Sequence, residues 1–214
     1  MAGLQTMSDI YDEVADILAD TGNVFFSTTR IDNAWYAAEC QYVIRTKYLT
    51  KKGSVLSLSS GDLTVDLPED CMKLLYLTIV IDGKERALEP SSEEKFDDDS
   101  GEWRDSTNQP MKYAVRPPNT VVFNHQADDD YDLYPYYVYQ PSANTIPNIP
   151  LEHRDQLLNF VLWKGFSKKM EWATANRYRD LFDRWIRSLE PQGDRMVLHY
   201  PTIRDVRNED YMGY

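Results

Sequence analysis

Between residues 150 and 190 apolar side chains recur at steps of three and four. Leu158, Val161, Leu162, Gly165, Phe166 and Met170 form one series, and Tyr178, Leu181, Phe182, Trp185, Ile186 and Leu189 form another after a short break. The spacing predicts two amphipathic helices within 150–190. Pro150 suits a first turn, Glu152 and Asp155 suit a helix N-terminus, and Asp180 with Arg184 and Asp183 with Arg187 make i,i+4 pairs. Pro191 and Gly193 end the pattern. Near the start of the chain, Ser8 with Asp9, Asp12 and Glu13 reads as a capped beginning. Ile10, Val14, Ile17 and Leu18 make a stripe that stops at Thr21, Gly22 and Asn23, which predicts a helix over 8–21. A second helix over 28–50 follows Ser27, Thr28 and Thr29, with Ile31, Trp35, Ala38 and Tyr42 on its apolar side. Two helices in front and two behind predict a four-helix core.

Between them the period changes to that of strands, which places a β insertion over 54–140. Val55 to Leu58 and Leu63 to Leu67 are short strands around a Gly61-Asp62 turn. Leu74 to Ile81, Asp82-Gly83 and Lys84 to Leu88 read as a hairpin, because Asp-Gly supplies the positive φ angles of a tight turn. Tyr113 to Val115 and Thr120 to Phe123 flank Pro117, Pro118 and Asn119 as a second hairpin-like pair. Tyr131 to Tyr139 is a further strand, and Pro135 within it predicts a sheet edge. The fold class expected is therefore α+β and mainly helical: a four-helix core, an inserted small antiparallel sheet and an extended C-terminal arm.

Residues 91–108 read as an irregular acidic segment anchored by Trp103, and 140–150 as a stiff connector with Pro141, Pro147 and Pro150. The segment 191–214 has no helical stripe yet holds Met196, Leu198, Tyr200, Ile203, Val206, Tyr211 and Tyr214. These seven are the candidate partner-binding residues, for another subunit or another protein; the alternative is that the arm folds back on its own domain. The domain plan is one domain over 1–190 and the arm over 191–214.

The chain has 214 residues and 42% hydrophobic content, enough for one sizeable core and short for two domains. A net charge of -12 opposes a grip on nucleic-acid phosphates. Cys40 and Cys71 fit neither a disulfide framework nor a zinc site and read as small buried hydrophobes in a reducing cytosol. The first ten residues lack the pattern of a signal peptide, and the longest apolar run, Leu74 to Ile81, is far shorter than a membrane helix, so the expectation is a soluble intracellular protein.

Candidate chemistry is sparse. Asp97, Asp98 and Asp99, and Asp128, Asp129 and Asp130, are acidic triplets without the spacing of a calcium loop, and loop acidity explains them better. Glu152, His153 and Asp155 place an imidazole beside carboxylates, but first-turn acids suited to the helix dipole are the simpler account. His125 and His199 have no ligand-spaced partners. Tyr131, Tyr134, Tyr136, Tyr137 and Tyr139 can stack sugars or bases, although in an alternating strand half of them should fill a core. No metal, cofactor or catalytic group is expected.

Several features then fall in a recognisable order. Phe25, Phe26 and Ser27 precede a helix carrying Trp and Ala; Val65 to Pro68 leads to Leu74–Ile81 and Asp82-Gly83; Ser91 to Phe96 follows Leu88, Glu89 and Pro90. Trp103 and Arg104 precede Pro110 to Ala114, a Tyr-rich strand precedes Pro141, and Ile149-Pro150 opens the closing helices. From Ser8 to Glu190 this order resembles the head–tail adaptor (connector) proteins of tailed bacteriophages. The resemblance implies a structural virion protein of the capsid–tail junction, not an enzyme, assembled in the host cytoplasm. It implies a ring, typically a dodecamer, beneath the portal protein, joined to tail or nozzle proteins and lining the channel for double-stranded DNA, with no membrane contact. The long segment after Pro191 departs from the short adaptors. The alternative reading is a carbohydrate-binding or carbohydrate-cleaving virion protein using the Tyr-rich strand with Asp130 and Asp132.

Charge layout agrees with assembly. From Glu89 to Asp132 there are twelve acidic residues against four basic, whereas Lys164 to Arg187 has seven basic against three acidic. Opposite signs on different patches favour a head-to-tail contact, and one that closes makes a ring.

Overall fold

The structure, a computed structural model, describes residues 6–99, 102–142 and 149–189. These form five helices and nine strands: α1 (Met7–Leu18), α2 (Thr28–Thr46), β1 (Thr50–Lys52), β2 (Leu56–Leu58), β3 (Thr64–Asp66), β4 (Cys71–Ile81), β5 (Lys84–Ala87), β6 (Glu89–Pro90), α3 (Glu93–Asp99), β7 (Lys112–Arg116), β8 (Thr120–Phe123), β9 (Tyr131–Tyr139), α4 (Leu151–Lys168) and α5 (Trp172–Leu189). They separate into two compact units, one holding α1, α2, α4 and α5 and the other holding β1–β9 with α3.

In the helical unit, α1 begins one step earlier than its sequence suggests. Thr6 caps it, accepting from the Asp9 N–H at 3.3 Å while the Asp9 carboxylate accepts from the Thr6 N–H at 2.8 Å. This is the reciprocal arrangement that satisfies two first-turn donors. Ile10, Val14, Ala15 and Leu18 are the buried stripe of α1, and Ile31, Ala34, Trp35, Ala38, Tyr42 and Val43 that of α2. Buried Leu157, Val161 and Leu162 of α4 and Ala175, Phe182 and Ile186 of α5 supply the rest. Gly165 lets α4 approach α1 closely, since a Cβ there would stand 2.6 Å from Leu18 Cδ1 and 3.1 Å from its Cδ2. Gly165→Val is therefore expected to cost about 1–3 kcal/mol through overpacking, read from chemical unfolding; an unchanged midpoint would show that Leu18 can move aside.

The loop after α1 is organised by one side chain. The buried Asp20 carboxylate accepts from the Phe25 N–H at 3.0 Å and the Phe26 N–H at 2.7 Å. These bonds, first that from Phe26 and then that from Phe25, hold its pKa below the usual carboxylate range. Lys168 and Lys169 at the end of α4 donate to the Phe25 and Leu18 carbonyls.

The β unit corrects the expected fold class. Instead of a mainly helical chain on a four-helix core with a small antiparallel sheet, helices make up 41% and strands 26%, in two sheets. One sheet runs β1-β9-β4-β5 with β2 also on β9; the other runs β3-β8-β7-β6, and its β6–β7 pair is parallel. The reason is that residues 50–139 bury a core of their own, in which Leu58, Leu77, Ile79, Val121, Phe123 and Leu133 from both sheets are fully covered. The two hairpins fall where turn chemistry puts them: Asp82 and Gly83 have φ of 53° and 72°, joining β4 to β5, and β7 pairs with β8.

Pro135 does not mark an edge. β9 pairs with β4 on one side and with β1 and β2 on the other, so it is interior to its sheet. The missing Pro N–H falls opposite Gly53, in the gap between β1 and β2, where the Pro135 carbonyl accepts from Gly53 N–H at 2.8 Å. An interior strand tolerates proline only at such a break in the ladder. A Cβ on Gly53 would lie 2.8 Å from Tyr137 Cε1, so the same gap requires glycine. The acidic segment after β6 is not wholly irregular either: it forms α3, whose Phe96 packs with buried Trp103, Ala114 and Val122.

The expected arm, 191–214, lies outside the described residues, as does the stretch 143–148.

Candidate functional site

Three surfaces carry features beyond those needed for packing. The first is a cleft of about 310 Å³ in the helical unit, lined by Gln41 and Arg45 of α2, Phe160, Trp163 and Lys164 of α4, and Arg179, Phe182 and Asp183 of α5. Its cations outnumber its carboxylate. Asp183 lies 3.8 Å from Arg45 and 3.7 Å from Arg179, sharing one negative charge between two guanidinium groups. Lys164 has no ion pair among the described residues; its ammonium sits 4.0 Å from the Trp163 ring centroid and 5.2 Å from that of Phe160. The helices place these groups by simple periodicity, since Phe160, Trp163 and Lys164 are three and four apart on α4, as are Arg179, Phe182 and Asp183 on α5. Such a wall of rings and arginines suits a partner's carboxylates.

A second surface is apolar. Val24 and Phe25, 85% and 40% exposed, and Met170 and Trp172, 75% and 61% exposed, occupy one end of the helical unit. Lys168 ties the two stretches together, lying 4.4 Å from the Phe25 ring. Large side chains left uncovered side by side mark contact surfaces.

The third is an acidic tip of the β unit. Ser60 N–H donates to Asp130 at 2.9 Å, Ser59 N–H to Asp62 at 3.1 Å, and Gly61 N–H to the Ala127 carbonyl at 2.8 Å, so the loop 59–62 is held against 127–130. Asp62, Asp82, Asp128, Asp129, Asp130 and Asp132 are all exposed, and none is in a salt bridge among the described residues. The Tyr131 hydroxyl has its pKa raised first by burial, then by its 2.7 Å bond to Asp128 and by the negative charge of Asp128, Asp129 and Asp82. The acidic triplet Asp97–Asp99 is used differently: Asp97 accepts from Trp103 Nε1 at 2.6 Å and pairs with Arg104 at 3.1 Å.

The other chemical candidates resolve into structure. His153 Nδ1 bonds the Tyr42 hydroxyl at 2.8 Å within a group of rings that includes Trp185. His125 bonds Ser106 at 2.6 Å and has its pKa lowered by burial. Cys71 is buried and Cys40 half-buried, both as free thiols, and burial pushes Cys71 up to about 11. Among the described residues no group of three or more His, Cys, Asp or Glu is placed to hold a metal ion, and no helix is long and apolar enough to cross a membrane. In the Tyr-rich strand, Tyr137 is buried and hydrogen-bonded to Asp70. Tyr136 stacks on Tyr76 at 4.3 Å, and the Lys52 ammonium lies 4.0 Å from the Tyr134 ring and 5.4 Å from that of Tyr136. Its rings are thus engaged by neighbours and lysines. His199 and the arm residues Met196, Leu198, Tyr200, Ile203, Val206, Tyr211 and Tyr214 lie outside the described residues.

Sequence reading missed the cleft because Gln41 and Arg45 come from a helix distant in sequence from Lys164 and Arg179. It also missed a buried carboxyl on α2 that lies within reach of the charge of Arg154 on α4. Glu39, 3% exposed, accepts from Trp35 Nε1 at 3.0 Å, and Arg154 is 7% exposed. A signal existed: Glu39 falls four residues after Trp35 and next to Ala38, on the face that the pattern assigns to the core.

Exposed large side chains and unbalanced charge suit these surfaces to contact with other proteins. Residues 5–205 match the family described as SU10 adaptor protein, and the chain belongs to that family of phage head–tail adaptors. Its role is structural, as a virion component at the head–tail junction. Comparison with curated proteins finds no match.

Proposed function

We propose that copies of this subunit close into a ring beneath the portal, a dodecamer, and join the capsid vertex to the tail. The family match over residues 5–205 carries this reading. In it, residues 1–190 act as one adaptor domain, and the arm over 191–214 grips the portal, a tail or nozzle protein, or the next subunit through Met196, Leu198, Tyr200, Ile203, Val206, Tyr211 and Tyr214. The exposed Val24, Phe25, Met170 and Trp172 supply further contact area at the junction. A net charge of -12 gives the channel a wall along which packaged DNA slides without sticking, because like charge disfavours a lasting contact. Assembly takes place in the host cytoplasm.

Deleting residues 191–214 is expected to leave a subunit that unfolds cooperatively at an unchanged temperature and no longer attaches to purified tail-less heads, scored by electron microscopy. A truncated chain that attaches as well as the full chain would remove the arm from the mechanism. A full-length chain that attaches to heads without forming rings would remove the ring.

A further inference from the structure

The cleft and the acidic tip have complementary charge and neither is satisfied within its own unit. Arg45, Lys164 and Arg179 face a single carboxylate, Asp183, in the cleft. Five exposed aspartates crowd 59–62 and 127–132, with the charge of Asp82 close to Tyr131 beside them, and Asp129 and Asp132 there lack any cationic partner among the described residues. Trp163 offers an aromatic wall beside Lys164, of the kind that anchors an interface while charges set its register.

We propose that the cleft between α2, α4 and α5 receives the aspartate tip, built from 59–62 and 127–132, of a second copy of this chain. The inference rests on the ring reading above and specifies its contact. Cleft and tip are different patches, so the contact is heterologous: each copy offers its tip to one neighbour and its cleft to the other, and the series ends only when a ring closes. The tip loop is pre-formed by its bonds from Ser59, Ser60 and Gly61, which limits the ordering cost on docking. The opposite charges also disfavour the two symmetric alternatives, cleft against cleft and tip against tip.

A charge-swap experiment on the full chain tests it, with rings on tail-less heads counted by electron microscopy and association in solution followed by mass photometry. Lys164→Glu reverses one cleft charge at an exposed residue whose contacts here are aromatic rings, and Asp129→Lys with Asp132→Lys reverses two of the tip charges. Each variant alone is expected to lose self-association by roughly tenfold or more, since the first cancels the positive excess that Arg45 and Arg179 hold over Asp183, the second removes most of the negative charge of the tip, and each sets like charge at position 164 against positions 129 and 132. An equimolar mixture of the two is expected to recover it, because position 164 of one variant meets positions 129 and 132 of the other with opposite sign and the two unaltered surfaces also meet. Alternating, one-to-one assemblies are the signature. Rings that form equally well from either variant alone overturn this contact while leaving the ring reading intact. So does loss with the cleft variant alone, which would mean that another junction protein fills the cleft. A wild-type chain that forms no rings on heads overturns the ring reading itself. As a check independent of the variants' folding, wild-type association is expected to weaken steeply from low to high salt, and salt-insensitive association also overturns the proposal.

Discussion

Replacing Trp103 with alanine is expected to cost about 3–5 kcal/mol, a large share of the roughly 5–15 kcal/mol that holds a typical domain. The indole is 1% exposed and packs edge-on to Phe96 at 5.1 Å, and with Ala114 and Val122 it makes a small core separate from the main one of the β unit. A cluster this small has few neighbours to collapse into the space left behind. Helix α3 depends on it, because seven residues cannot form a stable helix without tertiary support. Alanine should therefore abolish hydrogen-exchange protection over 93–99 as well as lower the unfolding midpoint. Phenylalanine separates the contributions. It restores most of the ring contact but removes the Nε1–H that donates to Asp97, a bond which, ahead of Arg104, keeps that carboxyl below its ordinary range. Because Asp97 is itself exposed, that loss should be small, and Trp103→Phe should recover more than half of the alanine defect. A cost for Trp103→Ala near that of a surface substitution, or α3 still protected, would show that the segment is held by something else.

Local chemistry made some of this fold legible and long-range pairing hid the rest. Asp82-Gly83 announces its hairpin because two consecutive positive φ angles have few other uses, and the stripes of α4 and α5 announce helices because a 3.6-residue period is a property of the element itself. Thr6 was overlooked because Ser8 is an equally good cap in isolation; the reciprocal bond with Asp9 decides between them. Pro135 misled for a physical reason: proline forbids a ladder bond, and only the partner strand, broken at Gly53, reveals that no bond is needed there. Three strands of the second sheet show individually in the sequence, but their union into a sheet of their own, and the parallel β6–β7 pair, come from long-range contacts, which made a substantial β unit look like a minor insertion. Half of the cleft was visible as the basic excess over 164–187. Its closure by Gln41 and Arg45, and the tip joined from 59–62 and 127–132, depend on tertiary contacts that no periodicity encodes.

Glu39→Gln is expected to stabilise the protein by about 3 kcal/mol at pH 8 and by nothing at pH 4. Burial among the α2 side chains pushes the Glu39 carboxyl up to about 7, against the opposing pull of the Trp35 N–H and the Arg154 charge. An acid whose folded pKa exceeds its unfolded value of 4.5 binds its proton more tightly in the native state, so folding stability falls as pH rises between 4.5 and 7 and levels off above. At about 1.4 kcal/mol per unit, the interval corresponds to about 3 kcal/mol. Glutamine resembles the protonated acid in shape and can still accept from Trp35 Nε1, while carrying no charge to desolvate. The Arg154 attraction is already contained in the carboxyl's position, so its loss does not reverse the sign. Asp20 contributes a slope of the opposite sense, its lowered pKa giving stability that disappears as the medium is acidified, but it does so equally in both proteins and cancels in their difference. Chemical unfolding of the two chains from pH 4 to pH 8 should therefore give curves that coincide at the acid end and separate steadily through pH 5 to 7. Parallel curves, or a glutamine variant that is the less stable at pH 8, would mean that Arg154 holds Glu39 ionised and that the two helices are joined by a true buried ion pair.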